Sequence, residues 1–268
     1  MSRVDGVFLD PNAMVPRLTT YYIGRYLEQA WIVESTQDEV RRRATEGAPE
    51  GLVIVAERQT AGRGRKGDRW FSPAGSGLYL SLLLRPRFPD VMLIPLALGL
   101  AAAQAVDAVS KHRPDLKWPN DIMIGDRKLG GVIAESQVQE GQVLFVVAGI
   151  GINVSDPVEG WPPELASTAA SLGPDVDREW LLPELLNAIE TNYEAVKTGQ
   201  SAAMLAEYRK RCPYRRGAPV LITSGDGVRE EAKALEIEAD GSLLVEMPDG
   251  TRQRLYGHQV IGMRIETR

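Results

Sequence analysis

At 268 residues with 44% hydrophobic side chains, the chain can bury one large core or a large and a small one, which excludes a disordered protein. Its formal charge of -5 removes the global basic field used by nonspecific nucleic-acid or anionic-membrane binders, so the expected partners include neither. A single cysteine, Cys212, rules out an intramolecular disulfide, and two widely separated histidines, His112 and His258, argue against a His/Cys metal site.

In chain order, residues 1–17 lack the pattern of a secretory signal and, with Asp10-Pro11-Asn12 and Pro16, predict a loosely ordered leader. Residues 30–34 predict a strand, after which Ser35-Thr36 begin a helix through Arg43. Ser or Thr followed by Asp38 and Glu39 is an ordinary N-cap, and the same helix start exposes hydroxyls and backbone N–H groups to a ligand. Two apolar runs, 52–56 and 77–84, predict buried strands. Between them lies Gln59-Thr60-Ala61-Gly62-Arg63-Gly64-Arg65-Lys66-Gly67-Asp68-Arg69-Trp70, where glycines alternate with arginines. Such a loop can present backbone N–H groups and guanidinium forks to an anion. Taken alone, such a loop reads as solvated surface more readily than as a site.

The apolar stretch from Val91 suits a buried core helix over 91–113, closed by Pro114, better than a membrane span. Lys117-Trp118-Pro119-Asn120-Asp121 then places a lysine where proline restricts the chain direction. A hairpin follows, 122–124 and 127–133 around Gly125-Asp126. Residues 143–148 predict another strand, running into Gly149-Ile150-Gly151-Ile152-Asn153, which lacks the third glycine and helix of a dinucleotide fingerprint and instead lets a ligand approach the backbone. Amphipathic helices are expected over 179–197 and 202–211. Short strands at 219–222, 234–237, 242–246 and 260–264, separated by Asp-Gly turns, predict a small C-terminal β-barrel.

Ser35-Thr36, Gln59 with the loop from Gly62 to Trp70, Lys117 to Asp121, Lys128-Leu129-Gly130-Gly131 and Gly149 to Asn153 occur together in the order and spacing of biotin protein ligases. The chain resembles that family from about Leu18 onward. The resemblance implies an α+β fold in which helices flank a mixed sheet, of the class II synthetase-like biotin/lipoate ligase type. It also implies a catalytic domain over 18–212 and an SH3-like domain over 213–268. It further implies a cytoplasmic enzyme that uses ATP to convert biotin to biotinyl-5′-AMP and then biotinylates a lysine of a biotin carboxyl carrier protein. Homodimerisation is left open.

Carried over residue by residue, the resemblance assigns biotin contacts to Ser35, Thr36, Gln59, Gly62, Arg63, Lys117 and Gly131. It assigns ATP contacts to Arg65, Trp70, Asn120, Lys128 and Asn153. Lys117, Arg63 and Arg65 would stabilise charge during adenylation, and Mg2+ would be held through ATP phosphates rather than by a protein site. Two positions depart from the family pattern: Gln37 stands where Asn is common, and Asp68 where Arg is common. No ligand role is carried onto either. A lipoate or octanoate ligase of the same fold is the rival within enzymes. A biotin-responsive repressor is the rival outside them, disfavoured by the net acidity and by the few residues preceding the catalytic homology.

Overall fold

Strand polarity at one edge of a seven-stranded sheet determines where the loops of interest meet. The structure is a computed structural model describing residues 9–88, 90–213, 217–225 and 227–265. Its larger sheet contains β1 (Leu27–Val33), β2 (Val53–Gln59), β3 (Gly77–Leu84), β4 (Asp115–Lys117), β5 (Asp121–Ile124), β6 (Arg127–Gln139) and β7 (Gln142–Asn153), in the order β1-β2-β3-β7-β6-β5-β4. β1 and β2 run parallel, with Val33 opposite Gln59, whereas the other neighbours are antiparallel. The parallel pair is joined through the helix α2 (Thr36–Thr45), so the chain leaves both strands at the same end of the sheet.

Period-two alternation divides the sheet into two faces. Val53, Val55, Leu82, Leu84, Val146, Ala148, Ile150 and Ile152 belong to the main core. The long helices α3 (Ile94–Val109) and α4 (Arg178–Lys197) pack together and contribute to that core. Ile54, Leu83 and Val147 form a smaller cluster with Val40 and Ala44 of α2. The face that carries Leu83 and Val147 continues along their strands through Ser81, Gly149 and Gly151.

The 91–113 helix divides into a 3-10 turn at Val91–Leu93 and α3. α3 ends before Pro114 because Ser110 leaves helical geometry, its hydroxyl donating to the Val106 carbonyl and accepting from the His112 N–H. Val91–Val109 is long and apolar enough to span a membrane, but 67% of its most apolar window lies buried inside the protein. It is a core helix. Residues 9–17, expected to be loosely ordered, are packed: they include the short helix α1 (Pro11–Met14), and Leu9 and Met14 are buried in the main core. Their apolar contacts come from distant α4 and could not be read locally.

After α5 (Ser201–Arg211) come β8 (Ala218–Ser224), β9 (Arg229–Ile237), β10 (Leu243–Glu246), β11 (Arg252–Leu255) and β12 (Val260–Ile265). They form an antiparallel sheet ordered β11-β10-β9-β8-β12. Among the described residues no pairing joins β11 to β12, so this unit is an open sheet rather than the expected closed barrel. Register shifts at Leu244/Val245 and Val260/Gly262 irregularise its ladders. β11 escaped the sequence reading because Arg252-Gln253-Arg254 is polar and exposed. The two sheets meet: Trp118, 1% exposed, donates from Nε1 to the Gly241 carbonyl at 3.0 Å.

Candidate active site

The open face of the large sheet floors a cleft of about 1020 Å3. Of the expected contacts, Ser35, Thr36, Gln59, Arg63, Arg65, Trp70, Lys117, Asn120, Lys128, Gly131 and Asn153 all line it. Gly62 does not. A Cβ there would meet the Trp70 carbonyl at 2.5 Å and Ser72 Oγ at 2.7 Å, so its small size serves packing beneath the loop.

One end of the cleft is an array of neutral donors and acceptors. Ser35 N-caps α2 and accepts from the Gln37 N–H. Because β1 and β2 are parallel, the Thr36 N–H reaches Gln59 Oε1 at 2.9 Å, and the Thr36 hydroxyl lies 3.1 Å from the same oxygen. The Thr36 hydroxyl also lies 2.8 Å from Ser81 Oγ, which donates to Gln37 Oε1 at 3.0 Å. Gln37 Nε2 donates to the Val147 carbonyl at 2.9 Å. Thr36, Gln37 and Ser81 are buried and orient one another, and each hydroxyl and amide oxygen keeps a further lone pair for a ligand.

Gln37 and Ser81 were missed in sequence. Ser81 did leave a signal as the polar residue inside the apolar run Leu78-Tyr79-Leu80-Ser81-Leu82-Leu83-Leu84. Gln37 stood out only as a departure from the family pattern, and its place in the helix's first turn, which any polar residue fits, gave no role.

The middle of the floor is opened by glycine. Gly131 on β6 stands opposite Gly151 on β7, and Ile133 stands opposite Gly149. A Cβ on Gly149 would lie 2.8 Å from Gln37 Oε1, and one on Gly151 would lie 2.5 Å from the Trp70 ring. Trp70 therefore lies over bare backbone. Its Nε1 is buried with no hydrogen-bond partner, a donor in want of an acceptor.

Cations gather toward the other end. Lys128 Nζ lies 5.5 Å from the centre of the Trp70 ring and pairs with Asp121 at 2.6 Å. Arg65 donates to Asn120 Oδ1 at 2.7 Å, to the Val260 carbonyl at 3.0 Å and to the Gly257 carbonyl. Burial lowers the Arg65 guanidinium from its ordinary value, opposed by Asp121 and Asp68. It remains a cation at working pH. Asp68, the departure noted in sequence, thus supports the charge of its neighbour.

The loop itself is closed by Gly64 N–H to the Asp68 carbonyl at 2.8 Å and Trp70 N–H to the Gly62 carbonyl at 2.9 Å, with Lys66 in the left-handed region at φ 54. Arg63 behaves differently from Arg65. Both of its terminal nitrogens are taken by carboxylates, Asp38 at 2.6 Å and Glu135 at 2.8 Å.

Asn153, expected to contact ATP, has its side-chain amide turned to the chain, donating to the Ala170 carbonyl at 3.0 Å and the Lys128 carbonyl at 3.4 Å. The segment at 168–170 is further fastened to Lys128 by Lys128 N–H to the Thr168 carbonyl and Ala170 N–H to the Lys128 carbonyl. Thr168 and Ala169, given no role in sequence, therefore form a wall of the cleft.

A mixed sheet whose open face carries a neutral polar array at one end, bare glycine backbone between, and a cationic loop at the other is the architecture of a small-molecule-activating ligase. A sequence profile of the Biotin/lipoate A/B protein ligase family matches residues 31–153. The bifunctional ligase/repressor BirA of Bacillus spizizenii is 34% identical over 245 residues, covering 88% of this chain and 74% of that protein. The biotin–[acetyl-CoA-carboxylase] ligase of Mycobacterium tuberculosis is 32% identical over 221 residues, covering 80% of each. Among solved structures, the biotin protein ligase from Aquifex aeolicus in complex with biotin and ATP superposes with a TM-score of 0.77 at 28% identity, covering 90% of this chain and all of that one. The chain belongs to the biotin/lipoate A/B protein ligase family.

Proposed function

We propose that the cleft joins biotin to ATP, forming biotinyl-5′-AMP and pyrophosphate, and then transfers biotin to a lysine of a biotin carboxyl carrier protein. The observation that carries this reading is the division of one cleft into two chemistries. A ureido head is neutral and needs donors and acceptors together, as the Thr36, Gln59, Ser81 and Gln37 array supplies. A carboxylate meeting a phosphate needs cations, as Lys117 and Arg65 of the cleft lining supply, with Lys128 paired to Asp121 nearby. The glycines between them, Gly131, Gly149 and Gly151, leave room for the chain's own side chains: the Trp70 ring packs on Gly151 and Gln37 lies against Gly149.

In the first step the carboxylate oxygen attacks the α-phosphorus and pyrophosphate leaves. Lys117 and Arg65 offset the repulsion between the two anions. In the second step the lysine amine attacks the acyl carbon, AMP leaves, and no covalent enzyme intermediate is needed. Trp70 and Lys128 are assigned to the nucleotide side, and Asn120 holds Arg65 in place. Asn153 acts through the wall at 168–170 that it ties to β6. Mg2+ accompanying ATP would screen phosphate charge. The ion would be carried mainly by the phosphates, with Asp121 among the cleft carboxylates that could face it. We assign this chemistry to residues 18–212, with 213–268 as a C-terminal unit, and place the enzyme in the cytoplasm, acting on a carrier protein and not on nucleic acid.

The test is transfer to a purified carrier domain with ATP and Mg2+, offered biotin, lipoate and octanoate in parallel. Biotin alone should be attached. Transfer of lipoate or octanoate without biotin would overturn the assignment.

A further inference from the structure

Four charged side chains link the glycine loop to the polar floor. Glu135 of β6 accepts from Arg63 at 2.8 Å through one oxygen, and through the other from Arg41 at 2.5 Å and Gln37 Nε2 at 3.3 Å. Asp38 of α2 holds the second Arg63 nitrogen at 2.6 Å and lies 3.4 Å from Arg41. Two acids and two arginines thus balance within one cluster, while Arg65 is bound only by neutral oxygens and keeps its charge for an anion. Gln37 connects the cluster to the floor, because its other amide atom accepts from Ser81 and lies against Gly149.

We infer that Arg63 is a positioning residue rather than an anion contact, and that Asp38 and Glu135 act through it to hold the glycine loop over the polar floor that receives the substrate's neutral head. This rests on the biotin-ligase reading. If Arg63 instead met the substrate anion, Asp38 and Glu135 would compete with the substrate for it. The two roles therefore predict opposite signs for loss of either acid.

The experiment is calorimetric biotin binding and single-turnover adenylation with the full chain carrying Glu135→Gln, Asp38→Asn or Arg63→Lys. Positioning predicts that E135Q weakens biotin binding roughly tenfold, D38N weakens it less, and R63K restores part of what Arg63→Ala loses. Adenylation at saturating biotin should change by no more than about twofold. Unchanged or tighter biotin binding by E135Q and D38N overturns the inference. Asp38 is 51% exposed at its side chain, so D38N should fold even if E135Q does not, and its result decides alone. Wild-type protein that binds no biotin would sink the ligase reading itself, whereas wild-type binding with tighter-binding variants sinks only the role given to these acids.

Discussion

Arg65 and Lys117 sit at the same cleft but answer to different demands. The Arg65 fork spans Asn120 and two carbonyls of the C-terminal unit, Gly257 in the turn before β12 and Val260 at its start, and so bridges the two sheets. Arg65→Ala should increase the dissociation rate of biotinyl-5′-AMP by about 10- to 100-fold, the worth of a charge-assisted hydrogen bond, while adenylate still forms. Release of adenylate measured by filter binding or chromatography checks this. Lys117 ends β4 just before the turn in which the Asn120 N–H donates to the Lys117 carbonyl at 3.2 Å. On the proposed mechanism, Lys117→Ala should slow single-turnover adenylation by about 100-fold, the expected cost of losing a cation that stabilises developing charge. Normal adenylation by that variant would withdraw the role. Arg63 and Arg65 are two residues apart and look equivalent in sequence, but acids from α2 and β6 engage only one of them.

At the scale of the element, β7 does the most to shape the cleft. Its alternation puts Val146, Ala148, Ile150 and Ile152 in the core and leaves Val147, Gly149 and Gly151 on the other face. Gly151→Ala would place a methyl 2.5 Å from the Trp70 ring, which cannot yield as a flexible chain end could. The expected result is a raised KM for ATP together with a loss of about 1–3 kcal/mol of stability from overpacking. Denaturant titration and initial rates measure the two effects, and a variant unchanged in both would show that Trp70 moves freely.

The spacing of these glycines was legible, as were α2, β3, the β5–β6 hairpin, α4 and α5, because each carries strong local periodicity or turn chemistry. β4 and β11 were not, being short and, in β11, polar. Glu135 was also invisible, since its meaning comes from the three donors that surround it.

At the scale of the molecule, the two sheets share one core cluster in which Val220, Ile222 and Leu243 join Leu96 and Trp118. The sheets are also hydrogen-bonded through Trp118 to Gly241 and through Arg65 to Gly257 and Val260. Unfolding should therefore show one cooperative transition, coincident by far-UV circular dichroism and tryptophan fluorescence. Trp118→Phe should lower its stability by about 2–3 kcal/mol, because it leaves the Gly241 carbonyl unpaired and shrinks a fully buried side chain. Two separated transitions in the wild-type protein would contradict this coupling.

The amino-acid sequence alone determined the family, the mixed α+β class and which motifs line the cleft, because these depend on local periodicity and on short motifs whose residues act near where they stand in the chain. Tertiary structure decided the remainder. The parallel pairing of β1 with β2 brings Thr36 to Gln59, and the register of β6 on β7 sets glycine opposite glycine. Distant carboxylates then neutralise one arginine of the loop and leave the other charged. Such outcomes depend on through-space distance between residues far apart in sequence, a quantity no local pattern encodes.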